Sequence, residues 1–346
     1  MLAARLHSPG APLKIEDCPL PTLEPGEVLV RVAACGVCGS DLHMWRGAAP
    51  VRKTPIVLGH EIAGTVAACG PESSTWKADD AVIVRAGASC GNCRHCRSRR
   101  DNLCSGQRVL GMDLDGGFAQ YVRAPAANLV PLPPGISFEV GAILTDAVAT
   151  PFHAILSRGG LHGGDMVAVF GCGGLGIHAV QLARLLGAAT IVAVDVRRPA
   201  LALAERAGAG AVIDAAETSP AKEIQRLTDG GVDLALDFVG KAETVSQAVR
   251  SLRPGGRAVV VGMGTEGIAL PPPALFAWRE HAVLGSFGST LHDLEQVIEF
   301  VSSGRLDLSG SITARLPLSG VNDALRILED PVGDHVRIVI VPSEEE

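Results

Sequence analysis

A glycine-rich turn between an apolar strand and an apolar helix is the feature that most restricts the fold of this chain. The turn, residues 171–176, reads Gly-Cys-Gly-Gly-Leu-Gly and joins the strand-like run 166–170 to the helix-like run 175–186. In a G-x-G-x-x-G turn the first glycine permits the tight bend, the second lets a pyrophosphate approach the backbone, and the third packs helix against strand. The helix N-terminus adds unpaired N–H groups. The residues predicted to bind a dinucleotide here are Gly171, Gly173, Leu175 and Gly176.

An acidic residue at the end of the next strand-like run, 191–195, bears on which dinucleotide binds. Asp195 stands 19 residues after Gly176, where a carboxylate accepts hydrogen bonds from the adenosine ribose and repels a 2′-phosphate. Arg197 and Arg198 follow within three residues, and either guanidinium could reach such a phosphate. The acid favours NAD as the cofactor, with NADP as the alternative.

The pattern of apolar and turn residues changes near residue 150. Before it, short β-branched runs between Pro and Gly turns predict a compact β-rich domain. After it, strand-like and helix-like runs alternate, which predicts an α/β fold with a doubly wound parallel sheet. Beyond about residue 291 we expect one amphipathic helix and a few strands that return to the first domain. The predicted domains are therefore 1–149 with 290–346, and 150–289.

Composition and the chain termini exclude several classes of partner. A net charge of −7 and an aromatic content of 3% argue against nucleic-acid binding. The first nine residues lack the apolar core of a signal peptide, and a glycine turn interrupts the most apolar window, 166–186, so we expect no membrane span. We expect a cytoplasmic protein, in which clustered cysteines bind metal rather than form disulfides. The acidic end, 344–346, is interpreted as a solvated tail.

Four cysteines predict a closed zinc site. They lie within 15 residues at the spacing C-x2-C-x2-C-x7-C, and are Cys90, Cys93, Cys96 and Cys104. Four thiolates at such spacing can surround a tetrahedral zinc ion and leave no position for substrate. This zinc is expected to stabilise a lobe of the protein.

A second group of donors predicts an open zinc site. Cys38 offers a thiolate and His60 an imidazole, and a catalytic zinc keeps three protein ligands with one position free. Spacing alone leaves the third ligand undetermined between Glu61 and Asp146.

These motifs, taken in order, resemble the zinc-dependent medium-chain dehydrogenase/reductases, the alcohol dehydrogenase superfamily. The similar segments are 36–43, 59–66, 90–104 and 171–176, and the resemblance covers nearly the whole chain. It implies a GroES-like catalytic domain beside a Rossmann NAD-binding domain, two zinc ions per chain, and a homodimer or homotetramer. Many members use a cysteine where this chain has Asp146, whereas bacterial secondary-alcohol dehydrogenases are similar in using aspartate.

The resemblance also implies roles for individual residues. Cys38, His60 and Asp146 would bind the catalytic zinc, and Glu61 would be a fourth ligand that exchanges with water or substrate. Asp41 would accept a hydrogen bond from the second ring nitrogen of His60. Further residues are implied in the proton relay, Ser40 and His43, and beside the nicotinamide, Val261, Gly262, Met263 and Phe287.

The expected activity is reversible hydride transfer between an alcohol and NAD, with zinc polarising the oxygen of the alcohol or carbonyl. Asp146 favours a secondary alcohol or ketone as substrate; a polyol, as in the sorbitol-type relatives, is the alternative. A non-enzymatic nucleotide-binding protein of the same fold is the alternative from another class. The large apolar residues near these motifs could line a pocket or belong to the core, and are Trp45, Met112, Leu114 and Phe152.

Overall fold

A computed structural model describes residues 1–73, 75–329 and 336–342. The chain divides into two compact units, Met1–Asp146 with Ser289–Glu346, and Ala147–Gly288. The first boundary predicted from the sequence, after residue 149, lies three residues later than the observed one. The second, before residue 290, lies one residue later. The acidic tail 344–346 lies outside the described residues.

The strands of the described residues, in chain order, are β1 Leu2–Leu6, β2 Lys14–Asp17, β3 Glu27–Val37, β4 Ile56–Val57, β5 Glu61–Cys69, β6 Ala81–Val84, β7 Gly87–Ala88, β8 Arg108–Val109, β9 Tyr121–Pro125, β10 Leu129–Pro131, β11 Met166–Phe170, β12 Thr190–Asp195, β13 Ala211–Asp214, β14 Val232–Asp237, β15 Leu252–Val260, β16 Ala282–Gly285, β17 Ile312–Pro317 and β18 Arg337–Val341.

The α-helices of the same residues are α1 Gly39–Trp45, α2 Arg94–Arg97, α3 Phe138–Ile143, α4 Ala149–Phe152, α5 Gly176–Leu185, α6 Arg198–Ala207, α7 Pro220–Leu227, α8 Ala242–Arg250, α9 Pro273–Trp278, α10 Leu291–Ser302 and α11 Val321–Glu329. Two π-helical turns, Leu144–Val148 and His153–Arg158, flank α4. Short 3-10 turns occupy Asp101–Leu103, Ala126–Asn128 and Leu318–Gly320.

The first unit is built on a seven-stranded sheet with the long strand β3 near its centre. The strand order is β10-β6-β5-β3-β18-β17, and β9 also pairs with β3. Val28, Val30 and Val32 alternate along β3 and are fully buried, as expected for a strand with one face on the core. Strand β18 joins β3 in antiparallel register, with Ile338 opposite Val37. The last part of the chain therefore completes the sheet of the first unit.

The second unit is a six-stranded parallel sheet with the order β13-β12-β11-β14-β15-β16. Helices α5, α6, α7 and α8 connect the strands, which makes the sheet doubly wound and confirms the predicted fold class. The strand order reverses beside β11, because β12 and β14 flank it on opposite sides. In such sheets ligands bind beyond the carboxyl ends of the strands at this reversal. The glycine turn follows β11 directly.

Two sequence expectations about helices were wrong. The described residues from 291 onward form two α-helices, because α11 follows α10 and buries Val321, Ala324 and Leu325 at helical spacing. The region before residue 150 also begins a helical stretch, Phe138–Arg158, which its β-branched residues and Pro151 concealed. This stretch is long and apolar enough to cross a membrane by length and composition, but 78% of its most apolar window is buried inside the protein. The window 166–186 is divided between β11 and α5.

Candidate metal and cofactor sites

Four donor side chains from different elements of the first unit converge. Cys38 precedes α1, His60 and Glu61 stand at the start of β5, and Asp146 lies in the π turn after α3. Their ligand atoms all lie within 4.8 Å of one another. Asp146 Oδ2 is 3.3 Å from Cys38 Sγ and 3.5 Å from His60 Nε2. The structure thus brings both candidates for the third ligand to one place.

These distances fit a zinc ion. Ligand bonds of about 2.0–2.3 Å in tetrahedral geometry place neighbouring donor atoms about 3.5 Å apart. The donors combine a thiolate, an imidazole and carboxylates, which is the chemistry that zinc prefers.

Asp41 orients this donor group. Its carboxylate is fully buried; Oδ2 accepts from the backbone N–H of Cys38 at 3.0 Å, and Oδ1 accepts from that of Gly59 at 3.0 Å. Oδ1 is also 3.3 Å from His60 Nδ1. A proton on Nδ1 leaves the Nε2 lone pair directed toward Asp146 and the metal position. Asp41 therefore fixes the ring and both backbone segments that carry ligands.

Glu61 has a partner that sequence reasoning missed. Arg337, the first residue of β18, forms an ion pair with Glu61, and both side chains are buried. In the sequence, Arg337 is visible only as a charged residue at the start of the apolar run 338–341. That pattern does not predict an ion pair with a residue 276 positions away. In the structure Arg337 is therefore the charged partner of the Glu61 carboxylate.

The electrostatics of the cluster also favour a cation. Burial, opposed by Arg337, raises the pKa of Glu61 to about 7. Burial and then Asp146 raise the pKa of the Cys38 thiol. Burial alone would lower the pKa of His60, but the carboxylates of Asp41 and Asp146 outweigh it and raise that pKa well above its usual value. A divalent cation reverses such shifts by stabilising thiolate, carboxylate and neutral imidazole together.

The four-cysteine lobe also fits zinc. Its sulfur atoms lie within 4.8 Å of one another, with Cys93 Sγ 3.5 Å and Cys90 Sγ 4.0 Å from Cys96 Sγ. Zn–S bonds of about 2.3 Å give a sulfur–sulfur separation of about 3.8 Å. Hydrogen bonding from the backbone N–H of Cys96 lowers the pKa of Cys93 to about 5, which favours a thiolate. Cys104 completes the set and is buried.

The residues implied in proton transfer lie on α1. Ser40 Oγ is 3.5 Å from Cys38 Sγ, at the edge of the donor group. His43 is half-buried and three residues further along the same helix. Positions three apart share one helix face.

The glycine turn of the second unit has the features that its motif predicts. Gly171 has a φ of +87°, and a Cβ at Gly176 would lie 1.8 Å from the carbonyl oxygen of Gly171. A Cβ at Gly173 would meet nothing within 4 Å, so this position is open to a ligand. Asp195 Oδ2 accepts from the backbone N–H of Cys172 at 2.8 Å, which joins the turn to the end of β12.

The remaining cofactor candidates follow the later strands. The backbone N–H groups of Val261 and Gly262 donate to the carbonyl of Asp237 at 2.8 and 3.0 Å, which holds the loop after β15 against the end of β14. Met263 and Phe287 are exposed. Of the suggested pocket residues, Phe152 is a fully buried core residue of the second unit. The others pack partly buried against the core of the first unit, and are Trp45, Met112 and Leu114.

Comparison with known proteins agrees with this architecture. The family described as "Alcohol dehydrogenase GroES-like domain" matches residues 24–134, and "Zinc-binding dehydrogenase" matches residues 174–303. The chain belongs to the zinc-dependent medium-chain dehydrogenases, the alcohol dehydrogenase superfamily, and it is an oxidoreductase of that class.

Similar individual proteins span the full length of the chain. An NAD-dependent alcohol dehydrogenase of Sulfurisphaera tokodaii is 34% identical and covers 99% of this chain and 100% of the relative. Sorbitol dehydrogenase of Bacillus subtilis is 32% identical, with 99% of both chains covered. Among solved structures, a zinc-binding dehydrogenase of Sinorhizobium meliloti bound to NADP superposes with a TM-score of 0.89 at 31% identity, with 99% of both chains covered.

Proposed function

We propose that this protein is an NAD-dependent alcohol dehydrogenase that oxidises secondary alcohols and reduces ketones reversibly. The observation that carries this proposal is the convergence of Cys38, His60 and Asp146, with the hydroxyl of Ser40 3.5 Å from the thiol of Cys38. A metal-binding module needs no such hydroxyl beside its ligands, whereas removal of an alcohol proton does. Aspartate as third ligand supports the secondary-alcohol class through the resemblance described above.

The residues of the site have separate tasks in this scheme. A zinc ion bound here supplies a Lewis acid for the alcohol oxygen, and NAD supplies the hydride acceptor. Cys38, His60 and Asp146 would hold the metal, and Asp41 would hold the imidazole of His60. Arg337 offers Glu61 a partner other than a metal, so Glu61 would be a ligand that can exchange.

We assign the release of the alcohol proton to two residues of helix α1. Ser40 would take the alcohol proton, and His43, on the same helix, would pass it toward solvent. Imidazole suits this task because it exchanges protons near neutral pH.

The cofactor and the organisation of the protein are proposed on related grounds. NAD is favoured over NADP because the Asp195 carboxylate, 9% exposed, would face the adenosine ribose with its negative charge. We assign catalysis to residues 1–149 with 290–346 and cofactor binding to 150–289. Location in the cytoplasm and assembly as a homodimer or homotetramer are carried over from the family.

Replacing Ser40 tests the relay. In Ser40→Ala we expect kcat for alcohol oxidation to fall about 10²-fold, with little change in NADH affinity, because proton transfer rather than cofactor binding is lost. Ser40→Thr retains a hydroxyl and serves as the matched control. Stopped-flow and steady-state rates at several pH values, with NADH binding measured separately, give the answer. Equal kcat in Ser40→Ala and the native protein would contradict the role of Ser40.

Polyol oxidation is the second candidate, favoured by the similarity to a sorbitol dehydrogenase. Measuring NADH formation across secondary alcohols, primary alcohols and polyols decides between the two. We expect the highest kcat/KM for a secondary monoalcohol; a higher value for a polyol would support the second candidate.

A further inference from the structure

Arg198 is the guanidinium whose position bears most directly on cofactor choice. It is the first residue of α6, three positions after Asp195, at the end of the sheet where the adenosine ribose is proposed to bind. An arginine at this place can accommodate a cofactor 2′-phosphate. Whether it does so depends on what already occupies its N–H groups.

Two acidic residues of the neighbouring strand and loop occupy Arg198. Its Nη2 is 2.5 Å from Glu217 Oε1, and its Nε is 3.6 Å from Asp214 Oδ2. Asp214 ends β13 directly beside Asp195, since these residues are register partners in the parallel sheet. Asp214 therefore places a second carboxylate next to Asp195, the residue proposed to bind the adenosine ribose.

The loop that carries Glu217 is held in place. Asp214 Oδ1 accepts from the N–H of Ala216 at 2.9 Å, and its carbonyl accepts from the N–H groups of Glu217 and Thr218, each at 3.2 Å. These bonds turn the chain so that the Glu217 carboxylate faces the start of α6. The guanidinium of Arg197 lies beside Asp195, with Nε 3.6 Å from Asp195 Oδ1. The same oxygen accepts a hydrogen bond from the backbone N–H of Arg197 at 2.9 Å.

The net charge of these arginine and carboxylate side chains bears on whether NAD or NADP is preferred. Two arginines face three carboxylates, those of Asp195, Asp214 and Glu217, so the group has an excess of one negative charge. A 2′-phosphate would add further negative charge and would need a free guanidinium. It would have to compete with Glu217 and Asp214 for the N–H groups of Arg198.

We propose that Glu217, supported by Asp214, is a specificity-determining residue that engages Arg198 and thereby withholds it from a cofactor 2′-phosphate. This inference rests on the proposed dinucleotide function and extends it to residues on β13 and its following loop. Arg198 and Glu217 are both exposed, so their pairing is weak and its removal should change specificity a few-fold rather than reverse it.

The test is Glu217→Gln in the intact protein. We expect the dissociation constant of NADPH to fall roughly two- to fivefold while that of NADH stays the same, because only the phosphate gains a partner. Binding is measured by titration calorimetry, without turnover. The ratio of kcat/KM for NADP to that for NAD, with one alcohol, should rise by the same factor, and the gain should shrink at high salt.

Further variants separate the proposed role of Arg198 from simple loss of repulsion. Glu217→Gln combined with Arg198→Gln should lose the gain; a double variant that keeps it would overturn the proposal. Glu223→Gln is the matched control, because Glu223 on α7 also pairs with an exposed arginine, Arg226, at 2.5 Å. We expect Glu223→Gln to leave both dissociation constants unchanged.

The outcomes also separate this inference from the proposed function. If the native protein binds and reduces NAD but Glu217→Gln leaves the NADPH affinity unchanged, the role of Glu217 is refuted and the proposed function stands. If the native protein binds neither NADH nor NADPH, both proposals are refuted.

Discussion

At the scale of single residues, one buried carboxylate, that of Asp41, holds together the segments of the candidate open metal site. Asp41 accepts from two backbone N–H groups and lies beside the ring nitrogen of His60. The same side chain therefore places the segment before α1, the turn before β5 and the imidazole. Three donors converge on a carboxylate because it offers only acceptors.

Replacing this carboxylate by an amide should weaken metal binding. In Asp41→Asn the NH₂ group must face at least one of the three donors, so we expect the affinity of the open site for zinc to fall roughly 10- to 100-fold. Competition with a chromogenic chelator measures this affinity. Asp323→Asn removes an exposed acid of α11 and should leave it unchanged. Equal affinities for Asp41→Asn and the native protein would contradict the positioning role.

Arg337 gives a second prediction at this scale. Arg337→Met leaves the Glu61 carboxylate buried without its partner, which should lower the free energy of unfolding by about 3–5 kcal/mol. The double variant Glu61→Gln with Arg337→Met should recover part of this loss. Chemical denaturation of metal-free protein measures both. The control, Arg326→Met, breaks an exposed pair with Asp323 and should cost no more than about 0.5 kcal/mol.

At the scale of secondary-structure elements, the turn from β11 into α5 shows how two glycines of one motif differ physically. Gly176 has no room for a side chain because the carbonyl of Gly171 occupies that space. Gly173 has room for a Cβ, and we expect its lack of a side chain to serve a bound pyrophosphate instead. Substitution should therefore separate folding from binding.

We expect Gly176→Ala to destabilise the protein by about 1–3 kcal/mol through overpacking. Gly173→Ala should leave the melting temperature nearly unchanged and weaken NADH binding, because the added methyl group stands where the pyrophosphate approaches. Calorimetry gives the melting temperature and fluorescence titration gives the affinity. Equal destabilisation by the two substitutions would be inconsistent with this difference.

At the scale of the whole molecule, the two candidate zinc sites should differ in how readily they lose metal. Four thiolates close one site, whereas the other has mixed donors and a carboxylate that is also paired with Arg337. On titration with a chelator we expect one zinc to leave first, together with activity and with little loss of secondary structure. The second should leave later and lower the melting temperature. Native mass spectrometry beside activity and circular dichroism follows both; simultaneous loss of both ions would contradict the assignment.

Features whose residues lie close together in the sequence could be predicted. Contacts between residues far apart in the sequence could not. The glycine turn and the four cysteines each lie within one short segment, so their chemistry was visible in the sequence. Asp146 could be preferred as the third zinc ligand only through the family resemblance, because spacing alone did not distinguish it from Glu61. The partners of Glu61 and Arg198 could not be predicted, since tertiary packing brings β18 and the loop after β13 to them. The helical stretch Phe138–Arg158 was missed because burial overrode local propensity.

The pairing of Arg337 with Glu61 also sets an order of events during synthesis. Arg337 is the first residue of β18, and the ribosome adds it 276 residues after Glu61. A nascent chain that already contains Cys38, His60 and Asp146 has every donor of this cluster but lacks the counter-charge for Glu61. The guanidinium reaches Glu61 only after β18 has been made and has paired with β3. We therefore expect Glu61 to gain its counter-charge after the other donors of the cluster have been synthesised.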